Sequence, residues 1–413
     1  MKTKETKQIE QTAMMKNTKP NLHFKAISGK KVIADFNGGD VTSDAGLLFL
    51  REVESKAGII QRIADMLPDR RHPGYVQHSF RQLLTQRVFQ IATGYEDAND
   101  CDYLKDDPVL KIACHRLEGS LASQPTMSRF ENGFSRTDLY RIAQAFLDAF
   151  IASYTNPPKA ILMDLDDTDD PTHGSQQMAL LNGYYNCYCY LPLHIYEGNS
   201  GKLITTILRP GKRPSGKEIL MILKRVIEHI RQAWPEVDIL IRGDSHFASK
   251  EVMDYCECLG LKYIFGLTTQ KPMEKQSLSL VQQAEAFFSE NKQPVKLFGE
   301  FMYQAGSWSV SRRVIYKAEH NQKGSNLRFI VTNLENMRRS MVYSLIYCGR
   351  GAMELFIKEH KNHLRSDKTS CCRFEANQFR LFLHSIAYVL LLHSVKVVCN
   401  PLNLPKRNLI QFG

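Results

Sequence analysis

The sequence predicts an α/β protein in which a mainly helical first part precedes a sheet-forming core. Three observations carry this. Apolar residues recur at helical spacing from about residue 40 to residue 155. After Asn156-Pro157-Pro158 the pattern changes to short apolar or alternating runs separated by an amphipathic stretch. Four further strand-like runs, between Pro294 and Thr332, come before a final helical region.

Composition sets the outer limits. A chain of 413 residues can build two or three domains with a large core. Its 43 % hydrophobic and 23 % charged residues are ordinary for a globular protein. No uninterrupted run of about 18 apolar residues occurs, so no membrane span is expected. The apolar patch from Ile386 to Leu392 is flanked by His384 and His393. Met1 to Lys19 is polar and lysine-rich without an apolar segment, unlike a secretory leader. Residues 1–30 are therefore expected to be a disordered basic tail, and the protein cytoplasmic and associated with the nucleoid. Of the ten cysteines, Cys187/Cys189, Cys256/Cys258 and Cys371/Cys372 are too closely spaced for zinc, which points to free thiols. A net charge of +11 favours polyanionic partners.

Residues 31–156 read as a helical DNA-binding domain after a short extended piece at Lys31 to Phe36. Thr42-Ser43-Asp44 precedes the periodic run Leu47, Leu48, Leu50, Val53 as a candidate N-cap cluster. Ile59 to Leu67 and Phe80 to Ile91 repeat the period around the basic turn Arg70 to Gly74, and Asp138 to Phe150 closes the region. Ser123 to Ala145 has the outline of a helix-turn-helix DNA reader, although a helical hairpin of no special function has the same outline.

Residues 157–270 supply strands at Ala160 to Asp166, Tyr184 to Tyr196 and Leu203 to Leu208. Ser215-Gly-Lys-Glu218 is a capping box for a helix with the stripe Ile219, Ile222, Leu223, Val226, Ile227, Ile230, stopped by Pro235. Val237 to Ile241 is a strand suited to burial, Ser249 to Leu259 a helix closed by Gly260, and Lys262 to Leu267 the next strand. Three strands, helix, strand, helix, strand is the order of a ribonuclease-H-like core, with an antiparallel meander first and parallel crossovers after it. Residues 271–340 are expected to form a β-rich insertion, and residues 341–413 the core's final helices and C-terminal region.

Acidic residues gather on this scheme. Asp164 and Asp166, two apart on the first strand, share a face. Asp244 follows the fourth strand, at the sheet edge where sites are built. Tyr347, Arg350, Glu354 and Lys361 fall within about 60° of one another on a regular helix. Ala352, Met353, Phe356, Ile357 and Leu364 lie on the adjoining arc. Each feature has a plain alternative: an acidic turn, a helix cap, a solvated face with i,i+4 pairs. Their joint placement favours carboxylates from three elements holding two Mg²⁺ ions about 3.5–4 Å apart for displacement at phosphorus. Hard cations call for such oxygen ligands.

At these residues the chain resembles bacterial insertion-sequence transposases of the DDE class. Tyr347-x2-Arg350-x3-Glu354-x6-Lys361 matches their Y-(2)-R-(3)-E-(6)-K signature without a gap. Asp164-Leu-Asp166-Asp-Thr168 and Arg242-Gly-Asp244-Ser-His-Phe247 resemble the first and second motifs of the insertion-sequence family numbered thirteen-eighty, and the likeness runs from about Tyr95 to the end. The resemblance implies a ribonuclease-H-like core with a β insertion, Mg²⁺ with Mn²⁺ able to substitute, and cut-and-paste DNA transposition. It also implies a homodimer on double-stranded DNA, holding terminal inverted repeats and target. Asp166, Asp244 and Glu354 would be the catalytic, metal-binding triad. Asp164 shares the face as a competing ligand, and Asp167 is a further candidate. Tyr347, Arg350 and Lys361 would contact phosphates near the cleaved end, with Arg209, Lys212, Arg213, Arg312 and Arg313 on the DNA backbone. Trp308 would either stack on a flipped base or fill the core. A structure-selective nuclease of the same fold, or a DNA-binding repressor, are the alternatives.

Overall fold

A computed structural model describes residues 22–34 and 40–399. The chain begins with a hairpin, β1 (Leu22–Ile27) and β2 (Lys30–Ala34), paired antiparallel. Ordered structure thus starts inside the expected tail; the rest of that expectation, residues 1–21, lies outside the described residues. Helices follow: α1 (Leu47–Ala57), α2 (Ile59–Met66), α3 (Phe80–Ala92), α4 (Gln124–Glu131) and α5 (Arg136–Ala152). Gly58, at φ +64°, lets α1 turn directly into α2 in a conformation that a Cβ would strain. The N-cap of α1 is Gly46, without a side-chain bond, rather than the Thr42–Asp44 cluster. Asp44 instead accepts from the Tyr95 hydroxyl at 3.0 Å.

The core strands are β3 (Ala160–Asp167), β7 (Leu193–Glu197), β8 (Lys202–Ile207), β9 (Asp238–Gly243) and β10 (Lys262–Leu267). Helices α6 (Gly216–Ala233) and α7 (Lys250–Cys258) cross between β8, β9 and β10. β3, β7 and β8 form the antiparallel meander, and β9 lies parallel to β3 and β10 parallel to β9, as the element order predicts. The Tyr184 to Tyr196 run is broken. Only β7 joins this sheet, while β4 (Asp170–Pro171), β5 (Leu180–Asn182) and β6 (Cys187–Tyr190) make a separate three-stranded sheet.

The insertion differs from expectation in two ways. It opens with a 21-residue helix, α8 (Lys271–Asn291). Its strands β11 (Val295–Tyr303), β12 (Arg312–Asn321) and β13 (Gly324–Thr332) then extend the main sheet through antiparallel β13–β10 pairing. The result is one eight-stranded sheet in the order β11-β12-β13-β10-β9-β3-β7-β8.

The two faces of this sheet have different roles. Ile161, Met163, Leu165, Ile195, Ile239, Ile241 and Phe265 point at the stripes of α6 and α7. Five side chains of α6 are buried there, each stabilising by roughly 1.5–3 kcal/mol. That seals one face and fixes strand register, because a one-residue slip would bury Asp164 and Asp166 on it. The opposite face carries Asp164, Asp166, Tyr196 and Arg242 and is covered by residues 339–363 and by α10 (Phe374–Cys399).

α10 also packs against α1 and α3. Its Phe379, Phe382, Ile386 and Leu390 share one buried cluster with Leu50, Ile60, Leu84 and Phe146. The helices before Asn156-Pro157-Pro158 therefore share a core with the C-terminal helix. Phe374–Val395 is long and apolar enough to cross a membrane by length and composition alone, but 78 % of that window is buried inside the fold. Nine of the ten cysteines are described, and all nine are free.

Candidate active site

Register places the first two acids. β3 and β9 pair as Asp164↔Arg242 and Leu165↔Gly243, so Asp166 is the next residue on β3 and Asp244 the first residue beyond the end of β9. Asp164 itself is spent on structure. Fully buried, it accepts from Arg242 Nε and Nη2, both at 2.6 Å. The third arm of Arg242, Nη1, donates to the Ile346 carbonyl. This guanidinium ties β3 and β9 to the segment bearing Tyr347, Arg350 and Glu354. Gly349 allows the approach, since a Cβ there would sit 2.9 Å from Arg242 Nη1.

Residues 339–363 are helical throughout, but they do not form the single regular helix that the spacing predicts. A π turn at Val342–Tyr347 and a 3₁₀ turn at Cys348–Arg350 precede α9 (Gly351–Lys358), and a second π turn follows at Glu359–His363. Such turns change the rotation per residue, so the four positions do not keep one 100° phase. Tyr347 extends its hydroxyl over β10, where a Cβ on Gly266 would lie 2.7 Å away. Arg350 donates to Asp166 Oδ2 at 2.9 Å and stands 3.9 Å from Glu354 Oε1. Lys361 reaches Asp169, bonding both its carboxylate and its carbonyl at 2.7 Å. Glu354 remains largely solvent-facing, with 68 % of its side chain exposed.

The acids form an electrostatic unit around Arg350. Burial pushes the Asp166 carboxyl up to about 7; Arg350 opposes the rise, and the charges of Asp244, Asp167 and Glu354 add to it. Asp244 Oδ1 accepts from the His246 N–H at 2.8 Å, so it does cap its own turn. Asp167 lies behind, 3.1 Å from His246 Nδ1 and 3.8 Å from Arg209 Nη1. Among the described residues, no three Asp, Glu, His or Cys side chains yet stand as a metal-holding group. The donor set nonetheless suits a hard dication, with oxygen ligands only and an excess of negative charge, and the Arg350 guanidinium stands on Asp166 where a dication would have to displace it.

The expected DNA contacts divide. Lys212 and Arg213 are exposed, and Arg213 donates to the Ser245 carbonyl at 2.7 Å, beside Asp244. Arg209 is buried, bonded to Glu218 at 2.8 Å and to the Leu191 and Lys212 carbonyls, which leaves it no face to present to a DNA backbone. Glu218 thereby omits its half of the expected capping box, of which only Ser215 Oγ accepting from Glu218 N remains. Arg312 is likewise buried against Asp254 and Glu257, and Arg313 pairs with Glu300. Trp308 is 9 % exposed, edge-on to Tyr303 at 5.7 Å and beside Arg312, so it fills the core. Nor does the Ser123 to Ala145 pair stand free: Met127 and Phe130 of α4 are buried, and Phe130 and Phe134 pack on Phe379.

Asp166 gives a pH signature. Its folded value lies above the ordinary 3.8, so the folded state holds the proton more tightly and this contribution to stability is complete below pH 4. It is lost as pH rises through about 7. An Asp166→Asn protein, uncharged throughout, is expected to gain on wild type by a few kcal/mol across that window in metal-free buffer, measured by urea unfolding.

The acids at the end of β3 and β9, with Lys212 and Arg213 exposed nearby, are the arrangement expected of an enzyme acting on nucleic-acid phosphodiesters. The family model for the transposase DDE domain, group 1, matches residues 24–404, and the chain belongs to that family. It is a DNA transposase, and enzymes of this kind generally use divalent metals. A solved structure described as a cryo-EM structure of the piggyBac transposase synaptic complex with hairpin DNA is similar over 90 % of this chain and 78 % of that one, with a TM-score of 0.49 and 10 % identity. No curated protein matches the sequence.

Proposed function

We propose that this transposase hydrolyses the 3′ phosphodiester at the terminal inverted repeats of an insertion sequence of the thirteen-eighty type and joins the freed ends to target DNA. Asp166, Asp244 and Glu354 would hold two Mg²⁺ ions, with Mn²⁺ able to substitute. The observation that carries the reading is that carboxylates from three separate elements gather around one guanidinium. Bound there, the dications would lower the pKa of the attacking water or 3′-hydroxyl and stabilise the leaving oxygen.

The chain's own residues then have distinct tasks. Arg350 holds Asp166 before DNA arrives, opposing the rise that burial and the neighbouring acids impose on that carboxyl. A phosphate at the cleaved end offers Arg350 a bidentate partner outside the cluster, and its departure frees Asp166. Lys361 supplies a point charge from its place on Asp169, and Tyr347 a phenol above Gly266. Asp164 stays out of the ligand set because both of its oxygens are engaged by Arg242. Two copies of the chain, one on each end, would bring the ends together.

Strand joining with pre-cleaved ends tests the reading. Wild-type protein should join them to a target plasmid when given Mg²⁺ or Mn²⁺. Cutting without joining would mark a nuclease of the same fold; end binding with neither step would mark a repressor.

A further inference from the structure

We propose that β11, the open edge of the eight-stranded sheet, is a contact surface between two copies of this chain. The strand would pair antiparallel with its own counterpart about a twofold axis at Phe298. The inference rests on the two-copy assembly proposed above and names the surface that joins the copies.

The edge is long, regular and uncovered. All nine residues of β11 keep one register with β12, from Val295↔His320 to Tyr303↔Arg312. In an antiparallel ladder alternate residues turn their N–H and C=O away from the partner strand. Among the described residues those outward groups of β11 meet nothing: β12 is its only neighbour in the sheet, and no loop backbone bonds to it. None of its side chains is fully buried, and Lys296, Glu300 and Met302 are exposed. No bulge interrupts the strand and no Pro lies within it, so two usual safeguards of an edge are missing.

The charges on this edge select the partner. Lys296, Phe298 and Glu300 share one face, with the two charges placed symmetrically about the ring. Charged side chains at an edge repel most incoming strands. Laid antiparallel on a second copy with Phe298 at the centre, Lys296 stands opposite that copy's Glu300, and Glu300 opposite its Lys296. The same register sets Phe298 beside Phe298 and Val295 beside Phe301. Opposite-charge, aromatic and aromatic–β-branched pairs are the ones that favour adjacent strands. A parallel pairing in register would instead set Lys296 on Lys296 and Glu300 on Glu300. Within its own chain Lys296 stands 3.7 Å from Glu319 with 60 % of its side chain exposed, and Glu300 holds Arg313 at 2.6 Å with 37 % exposed, so both keep an open side. Tyr343 props Phe298 from within, ring centres 5.6 Å apart. Met302, 62 % exposed, and Met341, 45 % exposed on the short helix beside β11, flank the edge with apolar surface.

Sedimentation equilibrium of the full chain, with and without duplex end DNA, reads the contact. Wild-type protein should form dimers, and amide hydrogen exchange along Val295–Tyr303 should slow as they fill. Lys296→Glu and Glu300→Lys should each weaken the dimer roughly tenfold or more, because like charges then face each other twice across the axis. Mixed in equal amounts, the two variants should dimerise again, each supplying the charge that the other lacks. Contacts inside each chain are the same alone and mixed, so recovery also excludes misfolding as the cause of the single losses. Full-strength dimers of either variant alone, or variants that stay apart when mixed, overturn pairing at β11 and leave two-copy assembly to another surface. Exchange at β11 slowed by DNA in a chain that stays monomeric would assign the edge to DNA and overturn it too. Wild-type protein monomeric with and without DNA overturns this pairing and two-copy assembly together, while the joining assay judges the cleavage reading separately.

Discussion

Glu354→Gln is expected to abolish cleavage of transposon-end DNA while leaving its binding nearly intact. The substitution removes one negative charge and keeps the size of a side chain that is 68 % exposed and holds no buried bond, so the fold has little reason to change. The loss lies in the charge that would hold a dication against the reacting phosphate. A fall on the order of 10³-fold or more in cleavage rate corresponds to about 4 kcal/mol of transition-state stabilisation, within what one metal contact supplies. Single-turnover cleavage with a filter-binding control measures both quantities. Unchanged cleavage would remove Glu354 from the active centre. A parallel loss of binding would mean that Glu354 shapes the DNA surface.

Much of this centre is legible in the sequence because it follows from short-range rules. The two-residue period puts Asp164 and Asp166 on one face, and the order of strands and helices makes β3 and β9 neighbours, which brings Asp244 level with Asp166. What the sequence leaves open is that Asp164 is tied up in structure: both of its oxygens are bonded by Arg242, a residue 78 positions away whose place appears only when the strands are paired. Arg209 illustrates the same limit. Its sequence neighbours Lys212 and Arg213 are exposed, but a turn of chain carries Arg209 inward to Glu218.

Other departures have local causes that sequence patterns register poorly. α8 buries only Met273, Ser277 and Ala284, so it shows no full apolar stripe. The tyrosine-rich run is broken by Asn186 in the left-handed region at φ +52° and by Pro192 between β6 and β7. In the helical segment, Gly349 and Gly351 flank Arg350 within an otherwise apolar pattern, and they are the visible trace of the interrupted turns. The Asn156-Pro157-Pro158 boundary is a real break between α5 and β3, yet the helices before it share a buried cluster with Phe379 to Leu390, more than 200 positions on. Chain order marks the joint without revealing what packs across it.

Asp164→Ala is expected to damage the protein by a different route from Glu354→Gln, although both would end cleavage. Asp164 and Arg242 are 0 % and 3 % exposed, and removing the carboxylate strands a buried guanidinium. Breaking such a pair costs about 3–5 kcal/mol, read as a lower denaturation midpoint in urea. Replacing both partners by apolar residues, Asp164→Leu with Arg242→Met, should recover most of that stability, because no buried charge remains. It should not recover cleavage, since the tether from Arg242 to the Ile346 carbonyl is gone and Tyr347, Arg350 and Glu354 lose their fixed position over the sheet. Stability restored without activity is therefore the signature of Asp164 as a positioning residue. An Asp164→Ala protein as stable as wild type, but with weakened Mn²⁺ binding by titration calorimetry, would make Asp164 the ligand in place of Asp166.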